Sequence, residues 1–204
     1  KNSFSGLNVL VTGADGFVSS HLCEELLENG ANVTGLIKRN STGLFKNVDH
    51  IKNKIKIKWG DTQDLSLLEE ITRKTDIIYH LAAFFANQNS VDYPETSADV
   101  DINGMIKLLD LAQFTDVERF IYASSGCAIY GSYGKMPLKE DFISMHLTTP
   151  YQINKMAGEM YSNFYFHHYG LKTVNCRFFN SFGPGEVPGQ YRNVIPNFIF
   201  WSMQ

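Results

Sequence analysis

The chain has 204 residues, 44% hydrophobic and 19% charged, an ordinary globular composition with enough length for one α/β domain and a full core. Its net charge of −3 gives no global reason to expect a nucleic acid or an anionic membrane as partner, and no apolar run approaches the ~20 residues of a membrane span. Cys23, Cys127 and Cys176 lie far apart, with no CxxC pair and no metal-ligand spacing, so a reduced, cytoplasmic protein without a metal site is expected.

In chain order, apolar runs alternate with amphipathic stretches. Residues 7–12 (LNVLVT) predict a strand that ends in a glycine turn. Val18, Leu22 and Leu26 then recur at helical spacing over 18–28, with Gly30 closing the helix. Strands follow at 31–37 and 55–59, a helix at 65–71 and a strand at 77–81. The spacing of Ile102, Met105, Leu108, Leu109 and Ala112 predicts a helix over 101–114. A strand at 119–123, a long helix at 151–169, a strand at 173–178 and a helix from 194 to 203 complete the series. Strict strand–helix alternation predicts βαβ units in a doubly wound parallel sheet with helices on both faces. No boundary is evident before about Phe182, and the loop 183–190 (GPGEVPGQ) is where the chain leaves the first unit. The final helix reads as still under way at Gln204, which suggests a longer parent protein.

Gly13-Ala14-Asp15-Gly16 joins the first strand to the first helix. A turn there offers backbone N–H groups at a helix N-terminus, where the dipole favours a pyrophosphate. Glycines suit it because a Cβ would collide with the phosphates or forbid a positive φ. Further on, Tyr151 and Lys155 stand four apart, on one face of a helix. An ammonium close to a phenol lowers its pKa, which makes a base that could take a proton from a hydroxyl.

TGADGFVSSHL (12–22) resembles the TGxxGFxGxxL fingerprint of extended short-chain dehydrogenases/reductases, with Ser19 in place of the third glycine. The resemblance runs from about Leu7 to Ile199, and it implies a Rossmann-type cofactor domain over 1–182. It also implies a C-terminal substrate domain, of which 183–204 is only the start. Gly13, Asp15, Gly16, Phe17 and Val18 would then hold the dinucleotide. NAD-selective members carry an Asp at the end of the second strand; Ile37 stands here, followed by Lys38 and Arg39, cations that suit a 2′-phosphate. The segment GANVTGLIKRNS resembles NADP-using GDP-mannose 4,6-dehydratases, so NADP is favoured and NAD is the alternative. Gly60-Asp61 resembles the motif whose Asp bonds the adenine amine, and His80-Leu81-Ala82-Ala83 the segment that lines the pyrophosphate and nicotinamide ribose.

The same resemblance makes Tyr151 the base, Lys155 its activator and a hydroxyl at the end of the fifth strand their partner. Counting along that strand gives Ser125, with Ser124 as fallback. Counting back four residues from Tyr130, the family's usual spacing, gives Gly126, which has no hydroxyl; one extra residue between Ser125 and Tyr130 reconciles the two. In the 4,6-dehydratases an Asp-Glu or Ser-Glu pair follows this hydroxyl and the Glu removes a carbon-bound proton, whereas Gly126 and Cys127 follow it here, so dehydration is not expected. Ser125-Gly126-Cys127 instead resembles the Ser-Ala-Cys of GDP-mannose 3,5-epimerases and makes Cys127 a candidate acid/base; a small buried core thiol is the plain alternative. Val194 stands where those epimerases use a Lys.

Residues 177–184 (RFFNSFGP) resemble RxxNxYGP. They imply Phe178 beside the nicotinamide and Asn180 on the diphosphate of a nucleotide sugar, with Arg192 as a further phosphate contact. The resemblance also implies a homodimer through helices 101–114 and 151–169. The surplus of aromatics at Tyr161, Phe164, Tyr165, Phe166 and Tyr169 fits a helix buried on two sides. The leading expectation is a sugar-nucleotide epimerase that works by transient oxidation. A reductase or dehydratase of the same family and a non-catalytic dinucleotide-binding sensor are the alternatives.

Overall fold

The computed structural model describes residues 3–41, 45–131 and 136–204. Six strands form one sheet: β1 (Asn8–Thr12), β2 (Asn32–Ile37), β3 (Lys56–Trp59), β4 (Ile77–His80), β5 (Arg119–Ser125) and β6 (Thr173–Phe178). All pair in parallel in the order β3-β2-β1-β4-β5-β6. The helices are α1 (Phe17–Glu28), α2 (Leu65–Thr72), α3 (Asn87–Asp92), α4 (Pro94–Ala98), α5 (Gly104–Gln113), α6 (Gly126–Tyr130), α7 (Pro150–Tyr169) and α8 (Val194–Ser202). The doubly wound sheet expected from the alternation is therefore present, and most predicted boundaries shift by only a residue or two.

Alternate strand residues feed two cores, one on each face. Val9, Val11 and Val33 pack with Cys23 and Leu26 of α1. Leu10, Ile78, Phe120 and Tyr122 pack with Leu68 of α2 and with Met105, Leu108 and Leu109 of α5. Strand order reverses between β1 and β4, and a doubly wound sheet opens a crevice at its carboxyl edge at such a point. Local signals set the helix ends. Asp64 caps α2 by accepting from Leu67 N at 3.1 Å, Thr149 caps α7 ahead of Pro150, and Gly170 stops α7 at φ 74°.

One expectation is corrected here. The helix predicted over 101–114 begins with a π turn, Asp99–Asn103, and becomes α-helical only at Gly104. The wider turn rotates Asp101 inward, where it is 2% exposed, and leaves Ile102 only partly buried. Among the described residues, no helix is long and apolar enough to cross a membrane. Helix α8 ends at Ser202 and exposes Phe198, Ile199 and Trp201.

Candidate active site at the carboxyl edge of the sheet

A single crevice of about 620 Å³ runs across the carboxyl ends of the strands, from Lys38 and Asp61 at one end to Ser125, Tyr151 and Arg192 at the other. It joins the sequence-predicted glycine turn, strand ends and catalytic groups into one cavity. Arg39 is the exception: it is exposed and does not line the crevice, whereas its neighbours Asn40 and Ser41 do.

Close backbone approach is built into the floor. Gly13 holds φ 67°, and a Cβ there would sit 3.1 Å from Ala82 Cα. The β4 end is pinned to the β1 end because Thr12 Oγ1 accepts from Ala82 N at 3.0 Å and bonds His80 Nδ1 at 2.9 Å. His80 is fully buried, and burial pushes its pKa down to about 3, so it serves as a neutral brace. Leu81, Ala82 and Ala83 thus pass across the mouth of the glycine turn, and Phe17 and Val18 open α1 beside it. Asp15 is 2% exposed and accepts from Ser41, so it fixes the loop after β2 rather than meeting solvent. Ser19, in place of the third glycine, is buried on α1. This bare, N–H-lined cradle at a helix N-terminus fits a dinucleotide pyrophosphate.

At the far end, β5 and α7 bring the catalytic candidates together. Ser125 ends β5 and caps α6, and its hydroxyl stands close enough to Tyr151 to favour the ionised phenol. Ser124 points the other way and donates to Glu159 at 2.5 Å. The counting conflict between the two serines and Gly126 therefore resolves sterically. A Cβ on Gly126 would lie 2.8 Å from the Phe179 ring, so aromatic packing occupies the place where another member carries a side chain. Cys127 is exposed in the crevice, with Sγ 3.2 Å from Ser125 Oγ, and is not the small core thiol that its residue type would suggest.

Lys155 is buried, donates to Ala123 O at 2.8 Å and stands 5.7 Å from the centre of the Tyr151 ring. The expectation that its ammonium lowers the Tyr151 pKa is not met in this conformation. Burial, followed by the negative charge of Asp101, pushes the phenol up, and the Ser125 hydroxyl offsets only part of this. Asp101 and Glu159 are the residues that sequence reasoning missed. Asp101 accepts from Phe84 N at 2.7 Å and from Ser97 Oγ at 3.2 Å; burial lowers the Lys155 pKa, and the charge of Asp101 offsets part of this. Glu159 pairs with Arg177 at 2.9 Å below the catalytic floor. Phe178 and Asn180 line the crevice as expected, and Arg192 lies 5.5 Å from the centre of the Phe85 ring.

Residues 9–200 match the model of the NAD dependent epimerase/dehydratase family. The chain belongs to this family. A curated relative in the epimerase/dehydratase family, a putative UDP-glucose 4-epimerase from Methanocaldococcus jannaschii, is 32% identical over 192 residues, covering 94% of this chain and 61% of the relative. Among solved structures, an epimerase from Methanothermobacter thermautotrophicus is 47% identical with a TM-score of 0.94, over 99% of this chain and 60% of that one. A UDP-glucose 4-epimerase from Thermotoga maritima, solved with UDP-glucose, is 33% identical with a TM-score of 0.88, over 94% of this chain and 62% of that one. One from Thermus thermophilus, solved with NAD, is 33% identical with a TM-score of 0.76, over 84% and 54%. The chain thus spans about three fifths of the length of the family members named first.

Proposed function

We propose that this chain is the dinucleotide-binding and catalytic portion of a nucleotide-sugar 4-epimerase. The observation that carries the reading is that the Ser125 and Tyr151 hydroxyls line one end of the same crevice that begins at the Gly13 turn. Relatives described as UDP-sugar 4-epimerases support it.

The bound dinucleotide supplies a hydride acceptor that later returns the hydride. The rest falls to this chain. Ser125 orients the sugar hydroxyl, and Tyr151 accepts its proton as the carbon is oxidised to a ketone. Lys155, once turned from Ala123 O toward the phenol, supplies the charge that stabilises the tyrosinate. The ketone then presents its other face and is reduced, with Tyr151 giving the proton back. Elimination of water would need a carboxylate after Ser125 to remove a carbon-bound proton, and Gly126 and Cys127 stand there instead. A second reading rests on Cys127: its exposed thiol, 3.2 Å from Ser125 Oγ, could exchange protons with carbons next to the ketone and epimerise those instead.

For the cofactor we favour NAD. The NADP expectation rested on Lys38 and Arg39. Lys38 Nζ is paired with Asp61 Oδ2 at 2.9 Å, and Arg39 lies outside the crevice lining. Incubation of the full-length protein with UDP-glucose and UDP-glucuronate tests the reading. The C4 epimer should form without added reductant. A 4-keto-6-deoxy product, or consumption of added NADH, would replace epimerisation by dehydration or reduction.

We further propose a homodimer through α5 and α7. Of the five aromatics from Tyr161 to Tyr169 on α7, Tyr165 is buried and Tyr161, Phe164, Phe166 and Tyr169 are left exposed. Sedimentation equilibrium at micromolar concentration should give twice the chain mass; a monomer there would sink the dimer.

A further inference from the structure

Charge at the adenosine end of the crevice is arranged in an unusual way. In this fold an acid at the end of the second strand holds the ribose 2′-hydroxyl of NAD, while a cation there accommodates the 2′-phosphate of NADP. Here β2 ends on Ile37, and the next residue, Lys38, would favour the phosphate. The β2–β3 register pairs Ile37 with Trp59, so Lys38 lies beside Gly60 and Asp61. Its ammonium is 2.9 Å from Asp61 Oδ2. The carboxylate is itself fixed, because Oδ1 accepts from Gln63 N at 3.0 Å. Burial works against ionisation of Asp61, but the Lys38 and Gln63 bonds prevail and hold its pKa below the usual carboxylate value. Both side chains line the crevice.

We propose that Asp61 sets cofactor selectivity in this protein. It supplies, just after β3, the negative charge that β2 lacks, and it neutralises Lys38, the crevice-lining cation that follows β2. The inference rests on the reading of the crevice as a dinucleotide seat. It is distinct from an adenine contact, which NAD and NADP would share equally.

The test uses this chain and the fluorescence of reduced nicotinamide, with NADH and NADPH titrated into wild type, Asp61→Asn, Lys38→Ala and the double variant. The quantity read is the ratio of the two Kd values, from which any shared loss of adenine contact or of folded protein cancels. Wild type should prefer NADH. Asp61→Asn should move the ratio toward NADPH by on the order of tenfold, the worth of about one charge-assisted hydrogen bond. Lys38→Ala should change the ratio little when Asp61 is present and should remove the gain when Asp61 is Asn. A ratio that moves less than about twofold in Asp61→Asn, an equal Lys38→Ala effect in both backgrounds, or a wild-type preference for NADPH would each overturn the proposal. Wild type that binds neither nucleotide would bring down the dinucleotide seat itself.

Discussion

Tyr151→Phe should cut kcat of the full-length enzyme by roughly 10²–10⁴-fold, the usual worth of a positioned general acid–base group, and leave the Kd for NADH within about twofold. The substitution removes one oxygen and keeps the ring that packs edge-on against Phe85 at 6.3 Å, so the fold has little cause to change. Protonation gives an independent readout. Tyr151 can accept a proton only as tyrosinate, and burial together with Asp101 raises its pKa. A raised pKa places the acid limb of the kcat profile at higher pH, so activity should fall early as pH is lowered. Asp101→Asn removes the nearby negative charge at nearly constant shape. It should therefore move that limb to lower pH, whereas a purely structural role for Asp101 would lower kcat without moving the limb. Product measured by chromatography over a pH series decides both points. A Tyr151→Phe enzyme with near-normal kcat would leave the crevice without its base.

The largest effect on stability should come from Arg177→Ala. Its guanidinium meets Glu159 through Nε at 3.0 Å and Nη2 at 2.9 Å, and it also donates to Glu140 O at 2.9 Å and the Tyr130 hydroxyl at 3.2 Å. Glu159 is nearly buried and Arg177 partly so, and removing one member of such a pair costs up to the ~3–5 kcal/mol of a fully buried one. That is a large share of the 5–15 kcal/mol that holds a typical domain together. Urea unfolding followed by circular dichroism should show the midpoint drop. Glu159→Gln should cost less, because the amide still accepts from Arg177 and from Ser124. A loss below about 1 kcal/mol for Arg177→Ala would mean that the pair is effectively solvated.

Much of this architecture could be read from pattern. Val9, Leu10 and Val11 with Gly13 announce a buried strand feeding a glycine turn, and the later strands repeat the theme, because a parallel sheet covered on both faces demands continuous apolar runs. Tyr151 and Lys155 were legible because helical spacing alone puts them on one face. The Ser125 position was reachable only by trusting the strand over the loop, and the cause of the Gly126 gap, the Phe179 ring, lies 53 residues further on. Asp101 was hidden for a different reason. Its burial depends on a π turn, which has no periodic signature, so a regular helix wheel assigns the inward face to Ile102 instead. Lys38 misled because sequence shows a charge but not its partner. Asp61 neutralises it across a strand boundary, 23 positions later.

In the proposed reaction hydride leaves and returns to the same sugar carbon, and turnover in D₂O tests this most directly. If Tyr151 and Ser125 act on a C4 hydroxyl while the hydrogen on carbon is held within the crevice, the epimer recovered from D₂O should carry no deuterium at any ring carbon, by proton NMR and mass spectrometry. Deuterium at C3 or C5 would transfer the chemistry to Cys127, and deuterium at C4 would contradict the transient-oxidation mechanism altogether.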